Sequence, residues 1–140
     1  MAEFMRVEDL KVYQKLCYLH IEVCQLTHAW PAEKKYELGS QVRRSSNSSP
    51  ANLAEKHSDR HVRNKIEGVN RARGEALETV HHLYIARMKG YLPETEYKSF
   101  RSRYQECIRM LNGLEKKLET LIAQSMRRWP NTSDSLNPEP

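Results

Sequence analysis

"QVRRSSNSSPANLAEKHSDR", residues 41–60, is the stretch on which the fold turns. Two adjacent arginines, Arg43 and Arg44, precede four serines and an asparagine packed into five positions, and then come Pro50 and a run ending Asn52-Leu53-Ala54-Glu55. A proline inside a helix loses the bond to the residue four earlier and crowds that carbonyl, at a cost of about 3 kcal/mol. Pro50 therefore either separates two helices or kinks one. Short side chains lie on both sides of it (Ser45, Ser46, Ser48, Ser49, Ala51, Ala54) and allow a second helix to approach closely. A true linker would not resume at once with helix-forming residues and a core leucine, so the kinked helix is favoured over the linker.

On either side of this stretch the pattern is helical, with no strand alternation and no internal repeat. The first helix runs from about Val7 to Ala29. It carries Leu10, Tyr13, Cys17, His20, Cys24 and Thr27 at three-four spacing, flanked by Val12, Leu16, Leu19, Val23 and Leu26. Two adjacent stripes predict neighbours on two sides. Pro31 suits the first position of the second helix, and Glu33 suits its positive end. Ser58 is the expected N-cap of the third helix, which carries Val62, Ile66, Val69, Ala76, Val80 and Leu83 to about Lys89. Gly90 can end that helix in the left-handed conformation, and Pro93-Glu94 opens the fourth. There, Tyr97, Phe100, Tyr104, Cys107, Leu111, Leu114, Leu118 and Leu121 alternate three and four apart, as in a coiled-coil seam. Short connections make neighbouring helices antiparallel. The expected fold is all-α: an antiparallel up-down four-helix bundle over residues 7–126 with a proline-kinked second helix. Residues 1–6 read as a disordered or cloning-derived start. Residues 127–140, rich in proline and polar groups, read as a disordered tail.

The chain has 140 residues, 39% of them apolar, and this suits helices with one apolar stripe each, completed in part by neighbouring chains. No run of apolar residues is long enough to cross a membrane and no export leader is visible, so a cytoplasmic location is expected. Cys17 and Cys24 are seven apart, which on a helix is about 10 Å of rise and too far for a disulfide. They read as small core residues in a reducing compartment.

Charge is concentrated. Between Arg43 and Arg73 there are eight basic residues against three acidic ones, an excess equal to the net charge of +5 on the whole chain. That localisation favours an anionic partner.

Four features in one order carry a resemblance: "VEDLKVYQ"; "LTHAWPAEKKYELGSQVRRSSNSSPANLAE"; Ala72-Arg73-Gly74 followed by Glu75 and Glu78; and a leucine-rich last helix. From about Val7 to Leu118 the chain resembles the four-helix-bundle proteins called 23S rRNA intervening-sequence proteins. The resemblance implies a non-catalytic scaffold that assembles as a ring, commonly of five subunits. A related branch resembles the accessory variability determinant of diversity-generating retroelements, a basic barrel that partners a reverse transcriptase and its nucleic acid. The family pattern has glycine after Ala-Glu, where this chain has Lys56-His57. The added positive charge supports the retroelement branch.

The candidate phosphate ligands are Arg43, Lys56, Arg60, Arg63, Lys65, Arg71 and Arg73. Arg60, Arg63 and Lys65 sit at an exposed helix start, where the bland reading is a solvated face. Arg43 divides between phosphate contact and a salt bridge to Glu37, Glu75 or Glu78. Arg44 leans structural, beside Pro50. Asn52 and Glu55 read as groups that satisfy backbone freed by Pro50. Contacts of this kind position a nucleic acid without specifying its sequence. His57 and His61 have metal spacing but no convincing third ligand, and His81-His82 beside Glu78 reads as surface or interface. No nucleophile constellation, carboxylate pair or glycine-rich phosphate loop is present, so no enzyme, cofactor or metal is expected. The expected function is a ring-forming bundle that binds RNA or an RNA–DNA hybrid, with a reverse transcriptase as partner in the retroelement version. The alternative is a pure protein–protein scaffold.

Overall fold

The serine-rich stretch is helical from Gln41 to His57. In the computed structural model, which describes residues 5–128, a short 3-10 turn (Val7–Asp9) leads into α1 (Lys11–His28), α2 (Ala32–Tyr36), α3 (Leu38–His57), α4 (Val62–Met88) and α5 (Glu94–Arg128). α3 passes through Pro50 without interruption, so the linker alternative is excluded. Most of the expected tail, residues 129–140, lies outside the described residues, as do residues 1–4.

α1, α3, α4 and α5 are the four long helices, and there are no strands among the described residues. α1 packs on α3 and α5, α4 packs on the same two, and the pairs α1–α4 and α3–α5 lie across the diagonals. One pole therefore gathers the start of α1, the α3–α4 corner and the end of α5. The other gathers α2 and the α4–α5 corner.

Each serine facing inward is used in packing. Ser45, Ser46 and Ser49 are fully buried. Ser45 Oγ and Thr79 Oγ1 of α4 share a 2.7 Å bond, and each hydroxyl also has a carbonyl of its own helix in reach, Val42 O for Ser45 and Glu75 O for Thr79. Ser49 Oγ donates to the Ala72 carbonyl of α4 at 2.7 Å, and Ser46 Oγ bonds His20 Nδ1 of α1 at the same distance. Buried hydroxyls without partners would cost about 1–3 kcal/mol each. Bonded ones let two backbones approach closely. Opposite them α4 presents Gly68, Ala72 and Ala76, all buried, and a Cβ on Gly68 would lie 2.6 Å from Lys56 Cβ. The α3–α4 seam is thus made of small residues and hydroxyls.

Bulkier residues fill the rest of the core. Leu16 and Val23 of α1, Val42 of α3, Leu83 of α4 and Leu111 of α5 are fully buried, and burial of such side chains contributes roughly 1.5–3 kcal/mol each. On α1 the core stripe is the flanking set, Val12, Leu16, Leu19 and Val23, while Tyr13, Cys17, His20 and Cys24 are only half-buried. On α5 the seam holds from Phe100 to Leu118, but Leu121 is exposed because α4 has already begun further along the bundle. Tyr104 is fully buried, with its hydroxyl near Thr79 but outside hydrogen-bond geometry, and burial raises its pKa.

Three local expectations are corrected. Pro31 lies one position before α2, where its carbonyl accepts from the Lys35 N–H. The helix then breaks at Glu37 (φ −94°, ψ −93°) before α3 begins, where one helix was expected. The break frees the Lys35 carbonyl, and Arg43 Nη2 donates to it at 3.1 Å. Ser58 closes α3 instead of opening α4. The N-cap of α4 is His61, which makes no side-chain cap bond; two positions earlier, Asp59 Oδ1 accepts from the His61 N–H at 2.8 Å and from Asn64 Nδ2 at 3.1 Å and fixes the corner. Gly90 ends α4 with φ 80°, and the bonds Tyr91 N–H to Ala86 O and Gly90 N–H to Arg87 O complete the left-handed cap.

Candidate nucleic-acid interface

The seven cations proposed as phosphate ligands separate into two groups once their partners are known. Arg43 is half-buried, and besides Lys35 O its guanidinium donates to Thr27 Oγ1 at 2.9 Å. It ties α3 to the α1–α2 corner and makes no salt bridge to Glu37, Glu75 or Glu78. Arg73 donates to Glu115 Oε1 and Asn112 Oδ1 of α5, both at 2.7 Å, and to Asn70. Lys56 and Arg71 both approach Glu67, at 3.9 Å and 2.9 Å. In a medium that weakens charge attraction only partly, a cation already held by a carboxylate has less to offer a phosphate.

Arg60, Arg63 and Lys65 form the second group. They follow the α3–α4 corner, Arg60 and Arg63 are exposed, and none has a carboxylate partner among the described residues. Arg60 and Arg63 line a groove against Leu121, Ile122 and Ser125 of α5. Arg60 and Lys65 also line a cavity on the other side of the corner, together with Arg6 and His57. The nearest acid, Asp59, accepts from the His61 N–H and from Asn64, and these bonds hold its pKa below the usual carboxylate range. Asp59 therefore stays ionised at neutral pH, and its charge offsets one of the three cations of this corner.

The residues read as structural also sort. Pro50 is buried within α3. Asn52 Nδ2 donates to the Ser48 carbonyl at 2.8 Å and lies near Ser48 Oγ at 3.2 Å. It does not reach the Ser46 carbonyl, whose donor Pro50 removes, so the expected compensation is not made by Asn52. Glu55 and Arg44 are exposed, and neither makes an ion pair among the described residues. His57 Nε2 is engaged with the Met5 carbonyl at 2.6 Å, and no group of three or more potential metal ligands occurs among the described residues. His82 bonds Glu78 at 3.2 Å.

Two further features were not anticipated. Arg6 joins the cationic corner from far away in sequence, and nothing in local spacing signals it. On α4, Leu77, Tyr84 and Met88 are exposed by 54%, 41% and 63%, with His81 between them. Tyr18 and Ile21 form a second exposed apolar patch on α1. The α4 stripe is legible as a three-four repeat displaced by one residue from the core stripe of the same helix.

A family model described as "23S rRNA-intervening sequence protein" matches residues 8–113, which spans α1, α3 and α4 and the first part of α5. The chain belongs to the 23S rRNA-intervening sequence protein family. A crystal structure described as a protein with unknown function from the S23 ribosomal protein family of Bacteroides thetaiotaomicron VPI-5482 is similar to this family member. It has a TM-score of 0.70 and 24% sequence identity, and the match covers 75% of this chain and 98% of that one. At that identity the likeness concerns the fold. No curated protein matches. Among the described residues, no helix of this family member is long and apolar enough to cross a membrane.

Proposed function

We propose that this protein is a non-enzymatic, cytoplasmic bundle that assembles as a ring and binds RNA, or an RNA–DNA hybrid, through the cations at its α3–α4 corner. The observation that carries the proposal is the contrast among the basic residues. Arg43 and Arg73 are engaged between helices and Lys56 and Arg71 are paired with Glu67, while Arg60, Arg63 and Lys65 stand together without carboxylate partners among the described residues. Ring assembly is supported by the two apolar patches. α1 and α4 lie across a diagonal, so their outer faces point away from each other. A patch on one side that meets a different patch on the next copy makes a head-to-tail contact, and such contacts close into rings when the rotation permits. Five copies, as the family resemblance implies, would bring five such corners to one assembly, and multivalency would multiply their affinity. In this reading Pro50 bends α3 toward its neighbours, and in the retroelement version the ring also holds a reverse transcriptase.

The test is a gel shift or anisotropy titration with unrelated RNAs over a salt series. Binding should fall linearly on a log–log plot. Arg60→Ala and Arg63→Ala should each reduce the slope by roughly 0.7 on single strands. Absence of binding at low salt would remove the nucleic-acid reading and leave the scaffold alternative, which the exposed Leu77, Tyr84 and Met88 support independently.

A further inference from the structure

The cavity at the α3–α4 corner has a shape and lining that a flat phosphate-binding surface does not require. Its volume is about 880 Å³, within the roughly 300–1,000 Å³ typical of small-ligand sites. One side is apolar, formed by Met5, Val7 and Ala54, and three cations, Arg6, Arg60 and Lys65, also line it. It also holds two acids, Glu8 and Asp59, and although Asp59 faces the N–H of His61 and Asn64 it keeps its charge, so the lining sums to +1 with the cations in the majority. The bond from His57 to the Met5 carbonyl holds the N-terminal segment against α3, so that the segment forms a fixed wall. An apolar wall facing a cluster of cations fits a ligand with a flat, poorly hydrated body and a concentrated negative charge at one end. A duplex presents its phosphates on a convex surface and cannot enter such a cavity.

We infer that this cavity receives the phosphorylated end of a single RNA strand, with the terminal base against Met5, Val7 and Ala54 and the terminal phosphate against Arg60 and Lys65. The inference rests on the RNA-binding reading above and specifies which part of the RNA is held. A terminal phosphomonoester carries about −1.5 to −2 charges near pH 7 and offers three acceptor oxygens, whereas an internal phosphodiester carries one charge. Cations gathered in a cavity therefore discriminate between strand ends and strand interiors. Arg63, which lines the groove on the other side of the corner, would meet the phosphates that follow.

The experiment compares one short oligoribonucleotide in four forms, measured by fluorescence anisotropy with the full chain at low salt. The forms carry a 5′-phosphate, a 3′-phosphate or hydroxyls at both ends, or are closed into a circle. A phosphorylated end should bind about tenfold more tightly than the hydroxyl-ended or circular forms, the scale of one added charge-assisted hydrogen bond. Whichever of the two phosphorylated forms binds better identifies the end recognised. Arg60→Gln and Lys65→Gln should each abolish that preference while leaving the helical circular dichroism unchanged, and adenosine monophosphate should compete only with the phosphorylated strand. Equal binding of all four forms would overturn the inference and leave the surface reading standing. If no form binds, the RNA reading fails, and this inference fails with it.

Discussion

The close approach of α3 and α4 can be tested at a single atom. An added Cβ at Gly68 would sit 2.6 Å from Lys56 Cβ, 3.0 Å from Lys56 Cγ and 3.1 Å from the Asn52 carbonyl. Lys56 Cβ is fixed to the backbone of α3, so no rotamer change clears it and the two helices must move apart. Glycine to alanine in a helix interior ordinarily stabilises by roughly 0.5–1 kcal/mol. Overpacking of a tight seam costs about 1–3 kcal/mol. Separation also stretches the Ser49–Ala72 and Ser45–Thr79 bonds, both 2.7 Å, each of which contributes about 0.5–1.5 kcal/mol. The net expectation for Gly68→Ala is a loss of about 1–3 kcal/mol. Gly74, on the same helix, is exposed, and an added Cβ there has no neighbour within 4 Å. Gly74→Ala should therefore stabilise by roughly 0.5–1 kcal/mol. Urea unfolding of both variants and the parent, at one protomer concentration, gives the two signs directly. Equal stabilisation by the two substitutions would refute the tight seam and, with it, the role assigned to the buried serines.

Other residues yield shorter tests. Arg43→Ala removes both bonds that join α3 to the α1–α2 corner and should cost about 2 kcal/mol in urea unfolding while leaving RNA affinity unchanged. A loss of affinity without a loss of stability would return Arg43 to the interface. His20 is held by Ser46 and Cys24, and burial lowers its pKa below 6.5. The unfolded chain then binds a proton more readily than the folded one, so this contribution to stability is complete above about pH 6.5 and is lost as pH falls through that value toward the folded pKa. His20→Gln should accordingly lose less stability than the parent between about pH 7.5 and 5.5, and identical losses would count against the assignment. Paired replacement Tyr84→Glu and Met88→Glu should reduce the mass seen by light scattering to that of one chain, 16.5 kDa, with helicity retained. An unchanged larger mass would exclude the α4 stripe from assembly.

Much of the fold was legible because helix periodicity and punctuation are local. Gly90 and the Phe100–Leu118 stripe lie where their spacing put them. The small residues around Pro50 announced a close neighbour, although only the structure identifies it as Gly68 on α4. Expectations failed where the deciding partner was distant in sequence. The choice between two plausible stripes on α1 depended on which side α5 occupies. The break at Glu37 depended on Arg43 reaching back to capture a freed carbonyl. For the candidate interface, the sequence located the excess charge but could not show which cations were already engaged. Arg73 meets a carboxylate forty-two positions away, and Arg71 meets one only a turn away. Leu121 fits the three-four pattern of α5 yet outruns the helix that would have covered it.

The start of α1 and the last turns of α5 emerge at the same pole as Arg60, Arg63 and Lys65, with Met5 on one side of that corner and Leu121 on the other. A purification handle or fluorescent fusion joined directly before Met5 would start at the very surface whose affinity is to be measured. Negative results from such a fusion would be uninformative. Reporters belong instead at the far pole, for example on the exposed Lys89 beside the α4–α5 corner, which leaves the cationic end unobstructed.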